Sequence, residues 1–262
     1  MWIILPGWAC PPSDYARIAT PADRIVDAWD CPLSNGVDQL REYLGVADGT
    51  SVNLFGHSYG GLLAIEWAAR YPEQVDSMVL ADPSEPHEIS SFPLPNALAH
   101  AASYPVGAVA PWIQWAQRAV RNVPQPDHLR RRFGGARTIR FLADEFFAVE
   151  QHQRDVARYL AQQGPIAFPP TIHLVGAGKG LNRTFLRRQR QLGQRLGATT
   201  YYLWNEGHMF PQQSPELVRP FLAKKVSNFC TLRQFLISPT CGNATYAKVI
   251  EQKLLTAPHC TD

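Results

Sequence analysis

Residues 54–61 read Leu-Phe-Gly-His-Ser-Tyr-Gly-Gly, which places Ser58 in a Gly-x-Ser-x-Gly spacing between an apolar run and a helix-like run. A serine hydroxyl is a weak nucleophile at neutral pH, so acyl chemistry at Ser58 needs a base to take its proton and an acid to orient that base. The glycines suit a strand that turns sharply into a helix, where side chains two residues either side of the serine would meet neighbouring backbone. Such a turn lifts the hydroxyl clear at a helix N-terminus, where backbone N–H groups favour a developing oxyanion. The candidate base is His208, in Asn205-Glu206-Gly207-His208-Met209-Phe210-Pro211. That segment is a Gly-containing loop after the last apolar run, and Ser214-Pro215-Glu216 behind it starts a helix. The other histidines are placed less favourably. His57 is expected to point away from the serine, His87, His100, His128 and His152 fall in a helical insertion, and His173 falls within a strand.

The acid must come from a loop at the carboxyl end of a neighbouring strand, where active-site groups gather in open parallel sheets. The loop after the run at 171–175, Gly176-Ala177-Gly178-Lys179-Gly180-Leu181-Asn182-Arg183, contains no carboxylate. One strand earlier, Leu80-Ala81-Asp82-Pro83-Ser84-Glu85-Pro86 supplies Asp82. Triads are defined by geometry rather than chain order, so Asp82 is the expected acid; a plain turn cap before Pro83 is the structural alternative. Glu85, Glu206 or no acid at all are the other readings. Two N–H donors must face the developing charge. They are expected from Tyr59, which follows the serine, and from Trp8 in Leu5-Pro6-Gly7-Trp8; otherwise Trp8 is a core residue.

These groups need a scaffold that brings distant loops to one edge. Six runs rich in β-branched and aromatic residues, at 2–5, 24–29, 51–55, 77–81, 171–175 and 199–204, alternate with helical or turn-rich stretches. The alternation predicts an α/β fold with a mainly parallel six-stranded sheet covered on both faces by helices. The helix over 60–71 is apolar almost all round and stops at Tyr71-Pro72. Residues 86–170 lose the strand rhythm and form a candidate helical cap, irregular over 86–111 and helical over 138–163, where Ile139, Leu142, Phe146, Val149, Val156 and Leu160 recur at helical spacing. The expected organisation is a core over 1–85, the cap over 86–170, a second part of the core over 171–223, and an appendage of unassigned structure over 224–262.

With 262 residues and 45% of them hydrophobic, the chain can build a substantial core. The apolar run at 1–5 has no basic segment before it and reads as a strand, not a signal peptide. No stretch approaches the roughly 18 apolar residues that span a bilayer, so a cytoplasmic protein is expected. Five widely spaced cysteines suggest neither a disulfide framework nor a zinc site, and no cofactor is expected. Asn243-Ala244-Thr245 matches a glycosylation sequon that is accidental without secretion. A net charge of +3 and the lack of a recognition motif exclude a nucleic-acid partner on this reading.

Leu5-Pro6-Gly7-Trp8, Gly56-His57-Ser58-Tyr59-Gly60-Gly61, Tyr71-Pro72-Glu73-Gln74-Val75 and Gly207-His208-Met209-Phe210-Pro211 together resemble the α/β-hydrolase superfamily over residues 1 to about 223. Within it, Arg137-Thr138-Ile139-Arg140-Phe141-Leu142-Ala143 followed by Arg154-Asp155-Val156-Ala157-Arg158 is similar to the cap of the pimeloyl-[acyl-carrier protein] methyl ester esterases of biotin synthesis. The resemblance implies a serine esterase whose partner is an acyl carrier protein, held through Arg137, Arg140, Arg154 and Arg158. On one continuous helix Arg140, Arg154 and Arg158 would share a face, and guanidinium groups suit phosphate and carboxylate recognition. A solvated helix face is the other reading of those arginines. The functional alternatives are a small-molecule carboxylesterase, a lipase-like enzyme or a C–C bond hydrolase of the same fold, and, in a different class, a non-catalytic ligand-binding hydrolase fold.

Overall fold

A computed structural model describes residues 1–87, 96–163, 166–178 and 183–223, with backbone only for 96–100 and 183. Six strands form one parallel sheet: β1 (Trp2–Leu5), β2 (Arg24–Ile25), β3 (Val52–His57), β4 (Val75–Ala81), β5 (Thr171–Ala177) and β6 (Thr199–Leu203), in the order β2-β1-β3-β4-β5-β6. Side chains alternate across the sheet with the strand period of two. Ile3, Leu5, Leu54, Met78, Leu80, Ile172 and Leu174 enter one core layer. Trp2, Ile4, Phe55, Val79, Ala81, Val175 and Ala177 enter the layer on the opposite face. Both faces being buried explains why these strands read as continuous apolar runs.

Helices α1 (Gly36–Leu44), α2 (Tyr59–Arg70) and α6 (Arg183–Leu196) contribute to the first layer, and α2 is buried on all sides except at its end. Short α7 (Phe210–Gln213) and α8 (Arg219–Leu222) serve the second layer with Phe210, Phe221 and Leu222. The expected strand at 24–29 shortens to Arg24–Ile25; Val26 still donates its N–H to the Ile4 carbonyl at 3.0 Å, and Val26 and Ala28 pack into the core.

Between β4 and β5 lie α3 (Asn96–Val120), α4 (Leu129–Phe133) and α5 (Ala136–Gln162). The expectation of irregular chain over 86–111 fails from residue 96 onward: α3 runs through Pro105 and Pro111. Each interior proline removes a backbone hydrogen bond; the antiparallel-like company of α5 along much of α3 and the alanine-rich sequence offset that loss. Helix α5 is a single element of 27 residues. The expected appendage at 224–262 lies outside the described residues. No helix among those described is long and apolar enough to cross a membrane.

Polar ties fasten the cap to the core. The buried Glu145 carboxylate accepts from the N–H groups of Leu33 and Ser34, both at 3.1 Å. Arg118 forms a buried two-point ion pair with Asp14, and Arg132 meets Asp27 at 2.5 Å. Charges buried like those of Glu145, Arg118 and Asp14 are tolerated only when partnered, so these contacts specify where the cap sits on the core.

Candidate active site

Ser58 stands between β3 and α2 with φ 52° and ψ −117°, a left-handed conformation that is costly for a residue with a Cβ. Three backbone hydrogen bonds hold it there: its N–H donates to Ala81, and its carbonyl accepts from Gly61 at 2.9 Å and Ser84 at 2.8 Å. The flanking glycines are required by close approach. A Cβ on Gly60 would lie 2.2 Å from the Leu5 carbonyl oxygen, and one on Gly56 would lie 2.5 Å from the Gly60 carbonyl oxygen. Because both obstacles are backbone, Gly60→Ala should destabilise the protein by about 3 kcal/mol or fail to give soluble protein. A thermal melt of the variant matching that of the parent would contradict this tight crossing.

His208 lies in the loop after β6, and its Nδ1 is 2.5 Å from Asp82 Oδ2. Asp82 follows β4, is buried, and has φ 45°. Its own N–H donates to the Val175 carbonyl at 2.8 Å, and its Oδ1 accepts from the Ala177 N–H at 3.2 Å. The carboxylate is thus aimed by β5, although the acid itself comes from the strand before. With Nδ1–H donating to a carboxylate, the imidazole keeps its Nε2 lone pair for another proton. His208 and Ser58 line the same cavity of about 250 Å³. The alternative acids are engaged elsewhere: Glu85 faces Arg188 at 3.5 Å, and Glu206 accepts from the Ser214 hydroxyl at 2.9 Å.

The loop after β1 forms the wall beside Ser58, and Gly7 and Trp8 both line the cavity. Gly7 donates its N–H to the Tyr15 hydroxyl at 2.9 Å. Trp8 is not a core residue. It is 40% exposed, its indole N–H donates to the Leu142 carbonyl of α5 at 2.9 Å, and its ring meets Phe146 edge-on. Tyr59 is the first residue of α2, where a backbone N–H has no partner within the helix. Its side chain turns the other way, toward the cap: the Tyr59 hydroxyl is 3.0 Å from His152 Nδ1, and His152 Nε2 is 2.6 Å from Glu66 Oε2. Burial, with Glu145 and Glu66 nearby, raises the Tyr59 phenol pKa, so it stays a neutral hydrogen-bonding group.

His57 corrects the sequence reading in part. It is no base for Ser58, yet it is part of the site, since it lines the cavity and its ring lies 4.8 Å from that of His208. Burial first, and His208 second, push its pKa down to about 3. Its neutral Nε2–H donates to the His208 carbonyl at 2.9 Å, which leaves Nδ1 to accept from the Tyr15 hydroxyl at 2.7 Å. Tyr15 in turn accepts from Gln212 Nε2 at 3.0 Å. One buried chain of hydrogen bonds therefore links the loop after β1, the strand bearing the serine and the loop bearing His208. Tyr15 and Gln212 carried no signal in the sequence.

The four arginines expected to hold a carrier protein do not line this cavity. Arg137 is exposed near the start of α5. Arg140 donates to the Ser103 hydroxyl at 3.1 Å and lies over the Tyr104 ring. Arg154 pairs with Glu150 at 3.4 Å, and Arg158 with Asp155 at 2.5 Å. Three of the four expected carrier-binding residues thus have partners within the cap itself.

A family model described as the alpha/beta hydrolase family matches residues 4–221. Among curated proteins, an abhydrolase domain-containing protein of Caenorhabditis elegans is 38% identical over 47 residues, 18% of this chain and 11% of its own length. A cis-3-alkyl-4-alkyloxetan-2-one decarboxylase of Shewanella oneidensis is 32% identical over 71 residues, 27% of this chain and 22% of its own length. The matched part thus spans less than a quarter of either curated relative. Among solved structures, the N-formylmaleamic acid deformylase of Pseudomonas putida S16 is 21% identical, covers 85% of this chain and 90% of its own, and superimposes with a TM-score of 0.54.

Proposed function

The chain belongs to the alpha/beta hydrolase family, and we propose that within it the protein is a serine esterase working through an acyl-enzyme. One observation carries the reading: His208 Nδ1 sits 2.5 Å from buried Asp82, and His208 shares a cavity with Ser58 in its strained turn. Ser58 Oγ attacks the ester carbonyl while His208 Nε2 takes its proton, and Asp82 stabilises the imidazolium. The N–H groups of Tyr59 and Trp8 receive the negative charge of the tetrahedral oxygen. His208 then protonates the departing alcohol. Water, deprotonated by His208, attacks the acyl carbon, and the serine is regenerated as the acid leaves. A fluorophosphonate should label the protein once, and mass spectrometry should find the label on Ser58; a label elsewhere, or none, would overturn the assignment.

The finer proposal is that the ester is the methyl ester of an acyl chain on a carrier protein. It is supported by the arginine-bearing face of α5, where Arg137, Arg140, Arg154 and Arg158 follow one another on a continuous helix. A free small ester is the second reading, and the pairing of Arg154 and Arg158 with neighbouring acids favours it. Reversing charge at both positions decides between them. A carrier substrate should lose turnover, with a steep dependence on salt, while a short nitrophenyl ester stays nearly unaffected. Equal losses on both substrates would assign the arginines to the architecture of the cap.

A further inference from the structure

Helix α3 turns a polar edge toward the candidate catalytic groups. Gln114, Gln117 and Arg118 of α3, and Arg121 in the turn just past its end, line the same cavity as Ser58 and His208; the Arg121 N–H still bonds to the Gln117 carbonyl at 3.1 Å, so the four keep the i, i+3, i+4, i+7 spacing of one helix face. Arg118 is already engaged by Asp14 and by the Pro124 carbonyl. Arg121 is different: its side chain has no hydrogen-bond or ion-pair partner among the described residues. Its side chain is exposed at the cavity mouth, but its backbone is tied down. The Arg121 carbonyl accepts from Gln213 Nε2 at 2.8 Å, and Val123 N–H closes the helix end onto the Arg118 carbonyl at 2.9 Å. Gln213 belongs to α7, directly behind the His208 loop, so the backbone that carries Arg121 is tied to the segment that carries the candidate base.

We propose that Arg121, with the amides of Gln114 and Gln117, receives a carboxylate carried by the substrate at the end away from the ester. The inference deepens the serine esterase reading in its free-ester form, since a carrier-bound chain has no free carboxylate at that end, and rests on it for the reaction, though not for the binding. A guanidinium and two amides match the planar, four-lone-pair geometry of a carboxylate. Val123 and Met209 supply apolar wall to the same cavity. A volume of about 250 Å³ suits a short dicarboxylic monoester. The preferred substrate class is therefore the monoester of a short dicarboxylic acid.

The test has two arms. In the first, kcat/KM is compared for monomethyl glutarate and for methyl pentanoate, its neutral counterpart. The parent should prefer the anionic ester, and Arg121→Met should cut that preference on the order of 10- to 100-fold, with Arg121→Lys falling between. No preference in the parent, or equal losses on both esters in the variant, would overturn the proposal. In the second, glutarate and inorganic phosphate are titrated calorimetrically into Ser58→Ala with Arg121 intact or changed to methionine. Glutarate binding that weakens with Arg121→Met supports the site; unchanged binding refutes it, and tighter binding of phosphate than glutarate refutes the choice of a carboxylate. Arg121-dependent glutarate binding without hydrolysis of either ester would overturn the esterase reading while leaving the carboxylate site standing.

Discussion

Ser58→Ala should abolish ester hydrolysis, lowering kcat by roughly 10⁵- to 10⁶-fold, and should remove fluorophosphonate labelling. The loss is expected to be this large because no other hydroxyl-bearing residue lines the described cavity. Folding should survive, since Ser58 is held by its backbone bonds to Ala81, Gly61 and Ser84, all of which alanine can make. The companion variant Ser58→Gly sharpens the test. Glycine accepts φ 52° without steric cost, so it should melt no lower than the alanine variant while being equally inactive. Labelling or turnover that persists in either variant would reject Ser58 as the nucleophile.

Asp82→Asn should lower kcat by roughly 10²- to 10⁴-fold while keeping the fold. The amide can present an N–H to His208 Nδ1, which favours the tautomer whose Nε2 carries a proton and cannot accept one from serine. It also removes the negative charge that stabilises the imidazolium. Glu206→Gln should do much less, because Glu206 is occupied with Ser214 outside the cavity. Near-normal turnover in Asp82→Asn, measured under saturating substrate, would mean that His208 is oriented by other means.

The sheet was legible because its strands are buried on both faces, which writes them into the chain as short apolar runs; the elbow was legible because only glycine tolerates the backbone crossings at 56 and 60. The proximity of Asp82 to His208 followed from strand order, since carboxyl ends of neighbouring strands meet. What escaped depends on partners far along the chain. Tyr15, His57 and Gln212 form one network although 42 and 155 residues separate His57 from its partners, and no local period encodes that. The helical state of the segment through Pro105 and Pro111 escaped for a related reason: local propensity opposed it, and packing against α5 decided. Arg154 and Arg158 could be placed on one helix face from spacing, but not their engagement by Glu150 and Asp155.

The two residues whose backbone N–H groups are assigned to the oxyanion both reach out with their side chains to the same helix. Trp8 hangs on Leu142 and Phe146, and Tyr59 on His152, all in α5. A cap that swings away must release both tethers together. Access and competence would then be a single mechanical variable: any opening of the cap would slacken the pair of donors proposed for the oxyanion.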